Sequence, residues 1–565
     1  VLPLHEAVEK DLDANFQKIV VPHPNRTIAT WYLLTVLEDV LRNLFILTDS
    51  SHAPFVEFQM DSQKYAVRFA LDRIRQECKD GSRVGIPSRV VPKIYIKTAD
   101  LLNAGVKFKA ANQLCSAAHA GTVRFTEGPH SINISFDDIQ HDKRYAALEL
   151  LGHMSLGVID HSANLYIWAR EEKFRPPVVE AIAHTTRVSG KNVFYEYDPN
   201  LAFLLSQELM QQPFLVPEGW RFPWGGRQET TLLINAMCVR CTYHWIAVHF
   251  GANHHGLRGG GESSLLHVST TLKLASDVHQ MCSLDERIIH SFIQYLTYGY
   301  AMRTPDPALQ PIISLGNGLV AVPCLMFLSS NHERNLLGLQ ARINGAAFNS
   351  MSKLFEKNMV GDLLTAIRPR WPFSGGNVTI RTEGGFEEID LLIGDSNSKT
   401  ILVCELRWML QPGDPREVQH RKKACWEKVA QLSRKVQWLR ARQSAALNTL
   451  GIVAIDPNAW TIEGVVVIKT FGGVLSTDKR LPVMTERVFL QGMQQVQSLR
   501  HFADWSQSLG WLPQENVHFR IVPQDMHLNT LGKRLSAFGM EKLSSLRGYT
   551  EFVDQSLQQP TLAER

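Results

Sequence analysis

The sequence predicts a multidomain protein of α+β and α/β type. A large helix-rich, mixed region spans residues 1–335, an α/β domain over 336–500 runs αβββαβ around a small mixed sheet, and a helical or irregular extension covers 501–565. Three observations carry this reading. The chain has 565 residues, too many for one hydrophobic core. Apolar side chains recur at helical spacing through much of the first 335 residues. Between residues 348 and 470 one helical pattern, three short strand patterns and a second helical pattern follow in order.

In the first region, Leu33, Val36, Leu37, Val40, Leu41, Leu44 and Phe45 keep a three-to-four spacing and predict a buried helix over 29–47. β-branched runs at 90–96 and 122–136 predict strands, with Gly128-Pro129 as a turn inside the second. Helical patterns return at 142–156, 201–212, 230–250 and 265–298, separated by Pro- and Gly-rich breaks at 213–226 and 256–261. The break at Gly256 lacks the Gly-Lys-Ser/Thr ending of a phosphate loop and follows no clear strand, so a surface loop is predicted.

With 44% hydrophobic and 20% charged residues the composition is that of a globular chain. A net charge of +4 permits a nucleic-acid partner without demanding one. No apolar run is long enough to span a bilayer and no basic-then-apolar segment opens the chain, so a soluble, cytoplasmic protein is expected. The eight cysteines are scattered and are expected as reduced thiols. Cys238-Val-Arg-Cys241, with His244, His249, His254 and His255 after it, has zinc-ligand residue types. It falls inside an apolar helix and lacks a second Cys pair, so a structural role is expected. His153 and Asp160-His161 have no nucleophile at triad spacing and are read as structural too.

The chemistry concentrates after residue 340. Phe348, Met351, Phe355, Met359 and Leu363 predict a helix over 348–367, with Glu356 at the edge of its apolar face. Pro369 and Pro372 stop it, Gly375-Gly376 is expected as a turn, and 377–382 alternates as a strand. Gly384-Gly385 turns into a strand over 386–393, and 394–399 into a strand over 400–408. Asp390 interrupts the first of these apolar runs and Glu405 the second. A lone buried carboxylate is costly. Two of them side by side on a hairpin are best relieved by a divalent cation, with Mg²⁺ or Mn²⁺ suited to oxygen ligands. Such an ion lowers the pKa of bound water and neutralises a phosphate.

A helix over 417–442 follows, apolar at Cys425, Val429, Leu432, Val436 and Leu439. From Arg416 to Arg442 there are nine Lys/Arg and two Glu, and Arg421, Lys428, Lys435 and Arg442 form a seven-residue stripe able to track a phosphate backbone. Strands are predicted at 449–455 and 464–470.

Asp390, then Glu405-Leu406-Arg407 on the next strand, a preceding helix with Glu356 and a basic helix after them resemble the PD-(D/E)XK nuclease superfamily, the restriction-endonuclease-like fold, over residues 340–475. The resemblance implies a metal-dependent endonuclease acting on nucleic acid, DNA ahead of RNA. Asp390, Glu405 and Glu356 would be metal ligands, with Gln431 in support; strand alternation, apart from the resemblance, puts Glu388 on the face of Asp390 and gives it a supporting or substrate-contacting role. The superfamily's usual lysine is Arg407 here, which stays protonated and cannot act as a base but suits a scissile phosphate. The alternative is a catalytically inactive nuclease fold serving as a nucleic-acid-binding or scaffolding subunit. A helix-rich region ahead of such a core also resembles sensor-plus-effector proteins of microbial restriction or antiviral defence, with a protein partner or a second copy expected on the N-terminal region.

Overall fold

A computed structural model describes the chain apart from residues 1–2, 48–52, 81–84, 120, 122, 137–142, 149–162, 210–213, 258–260, 413–414, 470–477, 544–548 and 559–565. The chain divides into two compact units that do not follow chain order. One comprises Glu9–Asn112 and Val158–Asn349, the other Val1–Val8, Gln113–Gly157 and Ser350–Arg565. This corrects the expected division at 335 and 500: the segment around 113–157 joins the later residues, and the C-terminal residues do not stand apart.

The first unit is mainly helical. Helix α1 (Arg26–Leu47) buries Leu33, Val36, Leu37 and Leu41 of the predicted face and Trp31 and Leu34 besides, while Val40 and Leu44 are partly buried. Helix α2 (Arg227–His254) is buried on every side from Ala236 to Val248, the pattern of a helix inside a bundle rather than on its surface. Helix α3 (Cys324–Leu328) starts against α1, where the Glu38 carboxyl accepts the N–H groups of Leu325 at 2.8 Å and Met326 at 3.1 Å. These are donors a helix start leaves without partners. Burial pushes the Glu38 carboxyl up to about 8, against the pull of those backbone donors.

Two expectations fail here. The run 90–96 is no strand but lies largely in the helix Pro92–His119, which opens on Pro92, a residue suited to a first helical turn. The run 265–298 is not one helix. It begins with the strand His267–Thr270 and continues as Thr271–Cys282 and Glu286–Tyr295, parted by Ser283 in the left-handed region. The predicted helix at 201–212 is Pro199–Glu208. That at 142–156 is helical over 143–148 and otherwise lies outside the described residues, as do His153, Asp160 and His161.

The second unit is built on a five-stranded sheet. Helix α4 (Gly345–Ile367) leads to β1 (Ser374–Thr382), β2 (Gly385–Asp395) and β3 (Thr400–Arg407). Helix α5 (Pro415–Arg440), β4 (Thr461–Ile468) and the short β5 (Val483–Thr485) follow. The strand order is β5-β4-β3-β2-β1, with β1, β2 and β3 antiparallel and β3, β4 and β5 parallel. Strand β3 is buried from Thr400 to Leu406, as expected for a central strand covered on both faces. Cys425, Val429, Leu432, Val436 and Leu439 of α5 share its core with Phe502 and Trp505 of the helix Leu499–Ser508.

Gly375 and Gly376 do not form the expected turn; they pair with Leu392 and Leu391 inside β1. A Cβ on Gly376 would lie 2.5 Å from the side chains of Leu364 and Val360, so glycine there lets α4 rest on the strand. The predicted strand at 449–455 is a loop. Gly451 takes a left-handed φ of 70°, and Val453 and Ile455 stand fully exposed.

A second sheet pairs Val123–Glu127 with Ser131–Phe136, the predicted hairpin, and continues through Lys533–Lys542 to Phe519–Leu528. The C-terminal residues thus contribute strands as well as helix.

Candidate active site

Asp390 and Glu405 come together as the strand pattern requires. The β2–β3 ladder runs to the pair Leu391 and Cys404, and one more antiparallel step sets Asp390 opposite Glu405. Asp390 Oδ2 accepts the backbone N–H of Leu406 at 2.8 Å, which ties the two strands where the ladder ends.

What faces the two carboxylates is helix α5. Lys428 Nζ lies 3.0 Å from Glu405 Oε2 and 3.5 Å from Asp390 Oδ2, so one ammonium is shared by both acids. Lys435, two turns further on, donates to Glu405 Oε1. Glu405 is fully buried and the Lys435 side chain nearly so, at 0% and 4% exposure, whereas Asp390 and Lys428 keep 28% and 17%. The site therefore has a closed inner end at Lys435 and an open end at Asp390. Helix and sheet approach closely because β4 carries Gly464, where a Cβ would sit about 3 Å from Leu432 and Val436 of α5.

The stripe of four basic residues is corrected by this arrangement. Arg421 is buried and donates to the carbonyl of Leu410 at 3.1 Å, and Lys428 and Lys435 are committed to carboxylates. Arg442, past the end of α5, stands over the Trp438 ring and donates to its carbonyl at 3.3 Å. The seven-residue spacing places the first three residues about 40–80° from the centre of the apolar face. Long side chains at that flank can turn either way, and Glu405 draws two of them in.

The remaining predicted residues take other places. Glu356 does not join the pair; it accepts from Arg407 Nη1 at 2.7 Å, and both side chains are partly exposed. Among the described residues no group of three or more His, Cys, Asp and Glu comes together as a metal site. Glu388 is exposed on β2, on the same face as Asp390. Its neighbour Glu387, passed over in the sequence, is buried and pairs with Arg434. Gln431 is half-buried on α5.

Next to Glu405 on β3, and paired with Leu391 of β2, Cys404 is fully buried. Burial raises its thiol far above the usual range, with Glu405 and then Asp390 adding to the effect, so it stays protonated and unreactive. Cys238 and Cys241 are buried in α2. Cys238 Sγ lies 3.6 Å from His332, and His244 is taken up by Tyr195 and the Leu265 carbonyl.

A divalent cation fits the chemistry of the open end. Asp390 uses Oδ2 for both its protein contacts, which leaves Oδ1, and Mg²⁺ is commonly held by one or two carboxylates with water and phosphate completing the shell. Asp390 and Glu405 are the residues that would hold it.

No helix among the described residues is long and apolar enough to cross a membrane. The chain matches no family model, and no curated protein and no solved structure is similar to it at a significant level.

Proposed function

We propose that the second unit is a divalent-metal-dependent nuclease of the PD-(D/E)XK type, with Asp390, Glu405 and Lys428 as its active residues. The observation that carries this reading is the position of Lys428, shared between the two carboxylates. The lysine that the linear motif lacks at Arg407 is supplied from helix α5. The strand order supports it too: three antiparallel strands, a crossover helix and a parallel strand are what the αβββαβ resemblance implies.

Each residue then has a task. Asp390 and Glu405 would hold the cation, which when bound would supply an activated water and neutralise phosphate charge. Lys428 has three N–H donors; two serve the carboxylates, and the third is left for a phosphate oxygen at the open end. Arg407 spends one donor on Glu356 and keeps the rest of its fork for a neighbouring phosphate.

The test is cleavage of plasmid, linear and single-stranded DNA, and of RNA, in Mg²⁺ or Mn²⁺. Asp390→Ala, Glu405→Ala and Lys428→Met should each abolish it. Cleavage without a divalent ion, or cleavage surviving Asp390→Ala, would sink the reading. One observation favours a second reading: two carboxylates and two ammoniums already balance without an added ion. A non-catalytic nuclease fold accounts for that, and it predicts no cleavage in any metal and no divalent binding at Asp390.

A further inference from the structure

Lys435 has no part in the chemistry assigned above, yet it is the most deeply placed cation of the cluster. Its ammonium takes Glu405 Oε1 at the closed end, where neither side chain has appreciable contact with solvent. A hydrated divalent ion has no route to that oxygen, and displacing Lys435 would leave a buried ammonium without its carboxylate. Only Glu405 Oε2 and Asp390 lie towards the open end, both within reach of Lys428.

Charge points the same way. Two carboxylates and two ammoniums sum to zero, so one divalent ion brings the cluster to two positive charges, a state that an incoming phosphate relieves. A second divalent ion would bring four positive charges to a site where, among the described residues, no third acid joins Asp390 and Glu405. Carboxylate sites that use two ions a few ångströms apart clamp both the attacking and the leaving oxygen.

We infer that Lys435 is a built-in counter-cation that limits this site to a single divalent ion, shared by Asp390 and Glu405. This rests on the nuclease reading and specifies its metal stoichiometry. Lys435 is a positioning residue: it holds Glu405 and touches neither substrate nor ion.

The experiment is Mn²⁺ binding to the full chain without nucleic acid, followed by calorimetry and by electron paramagnetic resonance, and counting only ions lost in Asp390→Asn. The wild type should bind one. Lys435→Gln, which removes the charge, should bind a second ion or hold the first at least tenfold more tightly, while Lys435→Arg should restore wild-type behaviour. Two ions in the wild type overturn the inference and leave the nuclease reading standing, as does a folded Lys435→Gln with unchanged number and affinity. No ion in the wild type overturns both. Should Lys435→Gln fail to fold, the wild-type count and a single ion in Lys435→Arg decide it.

Discussion

Each unit of this protein buries a cluster of charges, and the two clusters are built differently. In the helical unit Arg240 on α2 donates to Asp277 at 2.8 Å, Lys273 takes the other Asp277 oxygen at 2.7 Å, and the guanidinium lies against the rings of Tyr195 and Tyr197. Tyr195 in turn meets Arg240 at 3.0 Å and His244 at 2.8 Å. Asp277 is fully buried with both oxygens taken, one by the buried Arg240 and the other by Lys273, whose own side chain is 54% exposed, and aromatic rings and neutral imidazoles line the inner side. In the sheet unit Glu405 is as deeply buried, but the second acid, Asp390, keeps an oxygen and solvent access. An acid with both oxygens taken is what a structural network requires; an acid that keeps an oxygen and solvent access leaves room for a ligand.

The contrast can be broken or sharpened by substitution. The largest effect is expected from Asp277→Ala, which strands the buried Arg240 and should cost about 3–5 kcal/mol in urea denaturation. Lys435→Met should cost less, about 1–3 kcal/mol, because Lys428 stays on Glu405 and keeps its carboxylate paired. Equal losses would mean that Lys428 does not keep Glu405 paired, and the contrast between the two clusters would fall.

Acid should find the helical unit first. Burial holds the imidazoles of His244 and His249 down to about 3, and that of His267 well below its usual value, so all three are neutral when folded. Unfolding lets them take up protons below about pH 6.5. Their contribution is thus fully present above that pH and is lost as the pH falls towards 3, at about 1.4 kcal/mol per pH unit for each histidine. Thermal melts between pH 7 and 4 that report the helical unit should show this slope, and His249→Phe should lessen it. A flat profile would contradict their neutral burial.

Glu38 has the opposite sign. Its folded carboxyl titrates near 8 against 4.5 unfolded, so the stability it lends as a neutral acid falls as the pH rises from 4.5 to 8. Glu38→Gln, which mimics the protonated acid, should flatten that limb, leaving melting temperatures at pH 5 and pH 8 closer together than in the wild type.

How much of this was legible in the sequence depends on the range of the forces involved. Helix α4, strands β2 and β3 and helix α5 were readable because apolar spacing is a local signal, and Asp390 opposite Glu405 followed from strand alternation across a short turn. The inward turn of Lys428 and Lys435 was not, because what attracts them is a carboxylate on another element, 23 and 30 residues away. Ile452 and Val453 resembled a strand by their β-branched side chains, but a left-handed Gly451 precedes them and no partner strand receives them. Residues 90–96 misled through the same β-branched signal, with Pro92 marking a helix start. The second sheet could not be assembled from sequence at all, since local patterning says nothing of which distant strands meet.

That second sheet also sets a timetable. Ser131–Phe136 lies parallel to Lys533–Lys542, with Ile132 beside Leu535, so one edge of the early hairpin stays open until some 400 further residues have been made. At ribosomal speeds of about 5–20 residues per second that is a wait of roughly 20–80 seconds. The remaining residues of the helical unit, Val158–Asn349, emerge during this interval, so that unit can be complete before the sheet unit closes. A nascent chain halted before residue 533 would carry a finished helical body together with an exposed strand edge, a form that chaperones or proteases would meet in place of the native protein.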